Sequence, residues 1–170
     1  ILNGGLKGAL SLATAGELEL SEAAEIASTA LNAFRKDNLS VSNAADILAG
    51  AANSSATSVR EMRYSLAAAS AVASSVGVSF KDTATAIAVF AQNGLKGSDA
   101  GTSLKTMLMN LQPTTKAQKE EFKELGLVTK DGASKFYDAK GKLKSMADVA
   151  GILRNSMKGM SDAQRQASMR

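Results

Sequence analysis

The stretch 93–111 reads NGLKGSDAGTSLKTMLMNL, with glycines at 94, 97 and 101 and Lys105-Thr106 behind them. Glycine-rich turns followed by Lys and Ser or Thr can wrap a phosphate, because unhindered backbone N–H groups point at its oxygens and the lysine neutralises its charge. The spacing here argues against that chemistry. A phosphate loop needs G-x-x-x-x-G-K-[ST] behind a strand, with the lysine directly after the last glycine. Lys105 instead follows Leu104, and the preceding segment has helical periodicity. The dinucleotide fingerprint G-x-G-x-x-G fails as well, because these glycines are three and four residues apart. A corner between two helices fits each residue better. Asn93-Gly94 ends one helix, where a left-handed conformation costs a residue with a Cβ roughly 1 kcal/mol or more. Gly97 frees the link, and Ser98 with Asp99 beside it caps the next helix. Ala100 and Gly101 leave room for a neighbouring helix. The candidate positions are therefore structural: Asn93, Gly94, Gly97, Ser98, Ala100 and Gly101. Such a helix–turn–helix could also enter DNA, but Lys105 is the only strong donor early in its second helix.

Other chemistry is sparse. The chain has no histidine and no cysteine, which removes the commonest general base, the commonest metal ligand and all thiol chemistry. Glu17, Glu19, Glu22 and Glu25 sit around a helix start, where acidic groups favour the helix dipole over paired acid–base work. The segment KDGASKFYDAKG lacks acidic ligands at the offsets of a calcium loop. No catalytic residue, cofactor, metal or small-molecule substrate is expected.

The elements that hold the corner are helical. Apolar residues make up 45% of the 170, but aromatics only 4%, so the core must be built from Ala, Leu, Ile, Val and Met. Leu6, Leu10 and Ala13 form a short apolar stripe ending at Gly16. LSEAAEIASTALNAF (20–34) opens with Ser21 as N-cap and places Ala23, Ile26, Ala27, Ala30 and Phe34 on one face. VSNAADILAGAAN (41–53) repeats it at an offset of 21. NSSATS (53–58) is a turn, and a helix follows with a heptad-like seam of Met62, Leu66, Ala69, Ala73 and Val76, closed by Gly77. That seam leaves self-association open. Ser79 with Asp82 starts the next helix, which carries Thr83, Ile87 and Phe90. Leu104, Met107, Leu108 and Leu111 are the buried stripe after the corner.

The texture changes at Pro113, the one proline. A charged helix capped by Thr114 or Thr115 is followed by turn signals at Asp131-Gly132 and 139–141, read as a small β-hairpin or loop insert near 127–144. Ser145 with Asp148, then Ser161 with Gln164, cap two final helices. The expected fold is mainly all-α, a multi-helix bundle of short antiparallel helices. Residues 1–112 form an Ala-rich bundle and 113–170 a charged part packed with it as one domain. The chain begins with Ile1 and reads as a fragment of a longer one. No apolar run reaches the roughly 18 residues of a membrane span.

Charge is uneven. Residues 1–110 carry 8 basic and 9 acidic side chains, residues 111–170 carry 12 and 7. Such asymmetry can mark a face for DNA or anionic lipid. No basic run exceeds two residues, and only Phe122, Phe136 and Tyr137 supply aromatics there. A solvated face of mixed charge is the simpler reading.

With these segments in place, the sequence resembles the core region of phage tail tape measure proteins, in the phage minor tail protein family. The resemblance lies in NGLKGSDAGTSLKTMLMNL, LSEAAEIASTALNAF, AANSSATSV (51–59) and FYDAKGKLKSMADVAGIL (136–153), which occur in the expected order across nearly the whole chain. The long helical tract of such proteins is absent. The resemblance implies a structural, non-enzymatic tail protein around which tube subunits polymerise, so that its length sets tail length, and which takes part in genome delivery. The implied partners are tail tube and tail assembly proteins, itself, and transiently the host membrane or DNA during ejection. The implied place is the lumen of the virion tail tube, after assembly in the host cytoplasm. A membrane-active or chaperone-docking helical domain without catalysis is the alternative.

Overall fold

A computed structural model describes residues 2–167; Ile1 and residues 168–170, which begin and end the two expected segments, lie outside the described residues. The fold is mainly all-α. The helices are α1 (Leu2–Gly16), α2 (Leu20–Ala33), α3 (Val41–Asn53), α4 (Val59–Ser75), α5 (Phe80–Gln92), α6 (Gly97–Asn110), α7 (Lys116–Glu124), α8 (Met146–Ser156) and α9 (Asp162–Ala167), with a 3-10 turn at Arg35–Asp37. The chain divides into two compact units, Ile1–Leu108 and Met109–Arg170.

In the first unit α3 packs on α1, α2, α4 and α5, and α2 also packs on α1 and α4. Small residues make this possible. Among the described residues of this unit 12 of the 24 buried apolar ones are alanine, and side chains that short let helix axes approach closely at little area per contact. The stripes of α2 and α4 are buried as their spacing predicts, Ala23, Ile26, Ala27 and Ala30 on one and Met62, Leu66, Ala69 and Ala73 on the other, except that Val76, the last of the seam, falls at the C-cap and is half-buried. The heptad-like seam is therefore spent inside the unit and is not an exposed face. Phe34 and Phe80 meet with ring centroids 5.3 Å apart. The Asp37 carboxylate accepts the Phe80 backbone N–H at 2.6 Å, which gives α5 an acceptor at its N-terminus from 43 residues away.

Local caps set most helix starts. Ser58 and Glu61 form a capping box on α4, and Thr115 and Gln118 another on α7. Ser79 and Ser145 accept the N–H groups of Asp82 and Asp148. Gly77, at φ +83°, closes α4, and the Val78 N–H reaches back to the Ala73 carbonyl.

Two expectations fail at the start of the chain. Leu6 and Leu10 are about half exposed, whereas Gly8, Ala9 and Leu12 are buried. The buried side of α1 is the one that lets Gly8 press against Val41 and Ser42 at the start of α3, where a Cβ would come within 2.7 Å of the Ser42 nitrogen. Ser21 does not cap α2. The N-cap is Glu19, without a side-chain bond, because the left-handed turn at Glu17 (φ 51°) starts the helix two residues early, at Leu20.

The second unit holds α7, α8 and α9 and a smaller core of Leu111, Leu127, Phe136, Leu143 and, from α8, Val149. Phe122 meets Phe136 edge-on at 6.0 Å. Of the hairpin or loop insert expected near 127–144, the hairpin does not form. Instead two successive nine-residue turns repeat one backbone pattern. Lys135 N–H binds the Leu127 carbonyl, and nine residues on Lys144 binds Phe136. Thr129 binds Ala133, and Asp138 binds Lys142. Gly132 and Gly141 occupy the same left-handed place, at φ +82° and +73°. Each turn carries a lone antiparallel bridge, Val128 with Ser134 and Tyr137 with Leu143. The chain enters the second turn as soon as it leaves the first, so neither arm is long enough for a ladder. Buried Ser134 ties the first turn to the Leu111 carbonyl at 3.0 Å.

Candidate functional site

The glycine-rich corner lies between α5 and α6. Asn93 is the C-cap of α5, and its side-chain amide donates to the Val89 carbonyl at 2.8 Å. Gly94 follows at φ +88°, in open space, and the next N–H, of Leu95, returns to the Phe90 carbonyl at 2.9 Å. That bond closes the last turn of α5, as Val78 closes α4. Leu95 stays 40% exposed. Gly97 has φ +54° and is the first residue of α6. Ser98 therefore falls inside the first helical turn and is exposed, so it does not cap α6 as its type and position suggest. Asp99 and Ala100 send their N–H groups to the Lys96 carbonyl.

Ala100 and Gly101 are buried. At Gly101 the backbone of α6 lies directly against α4. A Cβ built there would overlap the Ser65 carbonyl oxygen outright and come within 2.7 Å of Ser65 Cα and 2.9 Å of Ala68 Cβ. The Ser65 hydroxyl, itself fully buried, donates to the Gly97 carbonyl at 2.6 Å and so fastens α6 one turn before the crossing. The corner and Gly101 thus form one device, in which a left-handed turn delivers α6 to α4 at a point where no side chain fits between them. Nothing in this geometry cradles an anion. Gly94 N–H is already bound to the Ala91 carbonyl, Gly101 faces protein, and Lys105 and Thr106 are exposed.

Sequence reasoning missed the receiving side of the crossing. Ser65 and Ala68 lie in a helix whose apolar seam is one residue away from each of them, and serine beside a seam carries no sign that its hydroxyl is aimed at another helix. The acidic residues of α2 also have a role beyond the helix dipole. Glu22 pairs with Arg60 at 3.1 Å and with Arg63 at 3.8 Å, and Glu25 with Arg63 at 2.8 Å. Both pairs of like residues are three apart, so each presents two charges on one helical face. That matched spacing is the signal that could have found the contact. Among the described residues no group of three or more Asp and Glu is placed to hold a metal ion.

A protein-family model described as "Phage-related minor tail protein" matches residues 1–170. The chain is 29% identical over 160 residues to the "Tape measure protein" of Pneumococcus phage Dp-1, covering 94% of this chain and 13% of that protein. It is 31% identical over 122 residues to the "Probable tape measure protein" of Escherichia phage P2, covering 72% of this chain and 15% of that one. It therefore spans about one seventh of the relatives it matches. No solved structure matches. A match from end to end, with tape measure proteins among its relatives, makes this chain a region of a phage tail tape measure protein and a member of the phage-related minor tail protein family.

Proposed function

We propose that this segment is the compact core of a tape measure protein, a structural part that acts without catalysis while the tail tube is built. In this reading the rest of the parent chain lies along the tube lumen, and tube subunits polymerise around it until it is covered. The segment meets tube and assembly proteins in the host cytoplasm and travels with the virion tail to take part in genome delivery. The observation that carries the reading is the family match over every residue, on a fold whose helices are too short and folded back to act as a ruler themselves. Asn93, Gly94, Gly97, Ser98, Ala100 and Gly101 then serve the family role by shaping the α5–α6 corner.

The test separates ruler from core. A helical ruler advances about 1.5 Å per residue. In-frame removal of 100 residues elsewhere in the parent chain should therefore shorten tails by roughly 150 Å. Removal of these 170 residues should abolish tail formation instead of giving tails shorter in proportion. Proportional shortening from deletion of this segment would overturn the division of labour. Purified particles lacking the parent chain by immunoblot would overturn the tail assignment itself. Among the described residues no helix is long and apolar enough to cross a membrane. The half-exposed Leu6 and Leu10 of α1 favour a second reading, in which that face docks an assembly protein.

A further inference from the structure

The second unit contains a cleft of about 1070 Å³, walled by α7 on one side and by the two nine-residue turns on the other. Lys119 and Lys123 line it from α7, and Tyr137, Thr129 and Gln112 line it elsewhere. At 100° per residue, Lys116, Lys119 and Lys123 occupy an arc of about 60° on α7, while Glu120, Glu121 and Glu124 begin about 40° beyond it and run away from the cleft. Among the described residues no carboxylate lies within ion-pair distance of Lys119 or Lys123. Two acids do line the cleft, Asp131 and Asp138. Asp138 is committed to the backbone, accepting the N–H groups of Lys140 and Lys142 at 2.9 and 2.8 Å. Asp131 sits at an exposed turn tip beside Lys130. Lys130, Lys140 and Lys142 are exposed on the same two turns, next in sequence to the lining residues Asp131 and Gly141, but do not line the cleft themselves. The five lysines are spread over 24 positions of sequence, so no run of basic residues announces them.

The aromatic groups divide as well. Phe136 is 1% exposed and meets Phe122 edge-on, so its own ring offers no free face. Tyr137 is partly exposed on the cleft wall, and its burial raises the phenol above its ordinary value. Cations and a stacking ring on the walls of one cleft match the two faces of an unpaired nucleotide strand, charged backbone and flat base. A duplex fits less well, because its bases present only their edges and a ring on a wall cannot stack on them.

We propose that this cleft binds a single-stranded nucleic acid segment, with Lys119 and Lys123 on phosphates and the Tyr137 ring on a base. The site is independent of the glycine-rich corner and of the ruler reading. The probes are fluorescein-labelled dT12 and rU12, titrated with the 170-residue chain at several salt concentrations and followed by anisotropy. Tighter binding of either oligonucleotide supports the site and assigns the sugar. K119A/K123A should reduce the slope of log affinity against log salt by about 1.4, two phosphates at roughly 0.7 each on a single strand. R154A/K158A removes the same charge from α8 and the turn that follows it, and should leave the slope in place. Y137A should weaken binding about fivefold or more, and Y137F should restore it. An equal slope change in both double variants would reduce the site to non-specific charge. Unchanged affinity in Y137A with its circular dichroism intact, or tighter binding to a matched duplex, would also overturn the proposal. The two lysine variants lie outside the core and test the charge term even if Y137A unfolds.

Discussion

Gly101→Ala is the sharpest perturbation of the α4–α6 crossing. On an isolated helix the change is favourable, because alanine exceeds glycine in helix propensity by about 1 kcal/mol. Here the added methyl would overlap the Ser65 carbonyl oxygen and reach within 2.7 Å of Ser65 Cα, against backbone that has no rotamer to yield. Restoring ordinary contact at 3.4 Å moves the helices apart by about 0.7 Å or more. Overpacking of a well-filled site costs about 1–3 kcal/mol. The displacement also stretches the Ser65–Gly97 bond, a net loss of about 1 kcal/mol. Set against the propensity gain, the variant should be destabilised by about 1–3 kcal/mol. Gly50→Ala is the matched control, because Gly50 lies in α3 with nothing within 4 Å of a built Cβ. It should gain up to about 1 kcal/mol. Urea unfolding followed by far-ultraviolet circular dichroism measures both. Thermal midpoints should move in opposite directions, by about 2–4 °C per kcal/mol for a chain of this size. A Gly101→Ala protein as stabilised as Gly50→Ala would refute the close crossing.

Two further predictions concern hydroxyls. Ser65→Ala removes a bonded group and should cost about 1 kcal/mol, whereas Ser70→Ala removes a buried hydroxyl that has no partner and should be neutral or stabilising by up to about 1 kcal/mol; the same urea titration ranks them. Burial raises the Tyr137 phenol above 10.0. Between that value and the raised one the unfolded chain loses its proton first, so stability should be full below pH 10 and fall as pH rises through the folded value. Tyr137→Phe should flatten that fall, and an unchanged alkaline profile would deny burial its part in it.

Much of the fold was legible because much of it is local. Ser79, Ser145 and Thr115 sit three residues before the N–H groups they accept, a pattern that needs no knowledge of the rest of the chain. The buried faces of α2 and α4 follow from spacing, since each has one contiguous apolar stripe. Leu6 and Leu10 misled for the converse reason. On α1 the buried side is chosen by how near α3 can come, and Gly8 and Ala9 permit what leucine would prevent. At the corner the residue types pointed to a turn and a close approach, but not to Ser65 as the surface approached. Ser98 looked like a cap because its type suits one, yet the helix had already begun at Gly97. The twin turns share little beyond a glycine and a closing lysine at matching places. Their likeness lies in backbone bonds, and side-chain patterns do not report it.

Those twin turns also bear on the order in which the chain can organise itself. Their bonds close loops of at most nine residues, whereas the ties of the first unit, Asp37 to Phe80 and Glu22 to Arg60, join residues 43 and 38 apart. Short loops forfeit less entropy on closing, and hairpin-sized turns form within about 1–10 μs. After any event that pulls the chain open, the turns can re-form before distant helices find one another. The twin turns can then recover their shape from nearest neighbours, while the first unit must wait for long-range encounters.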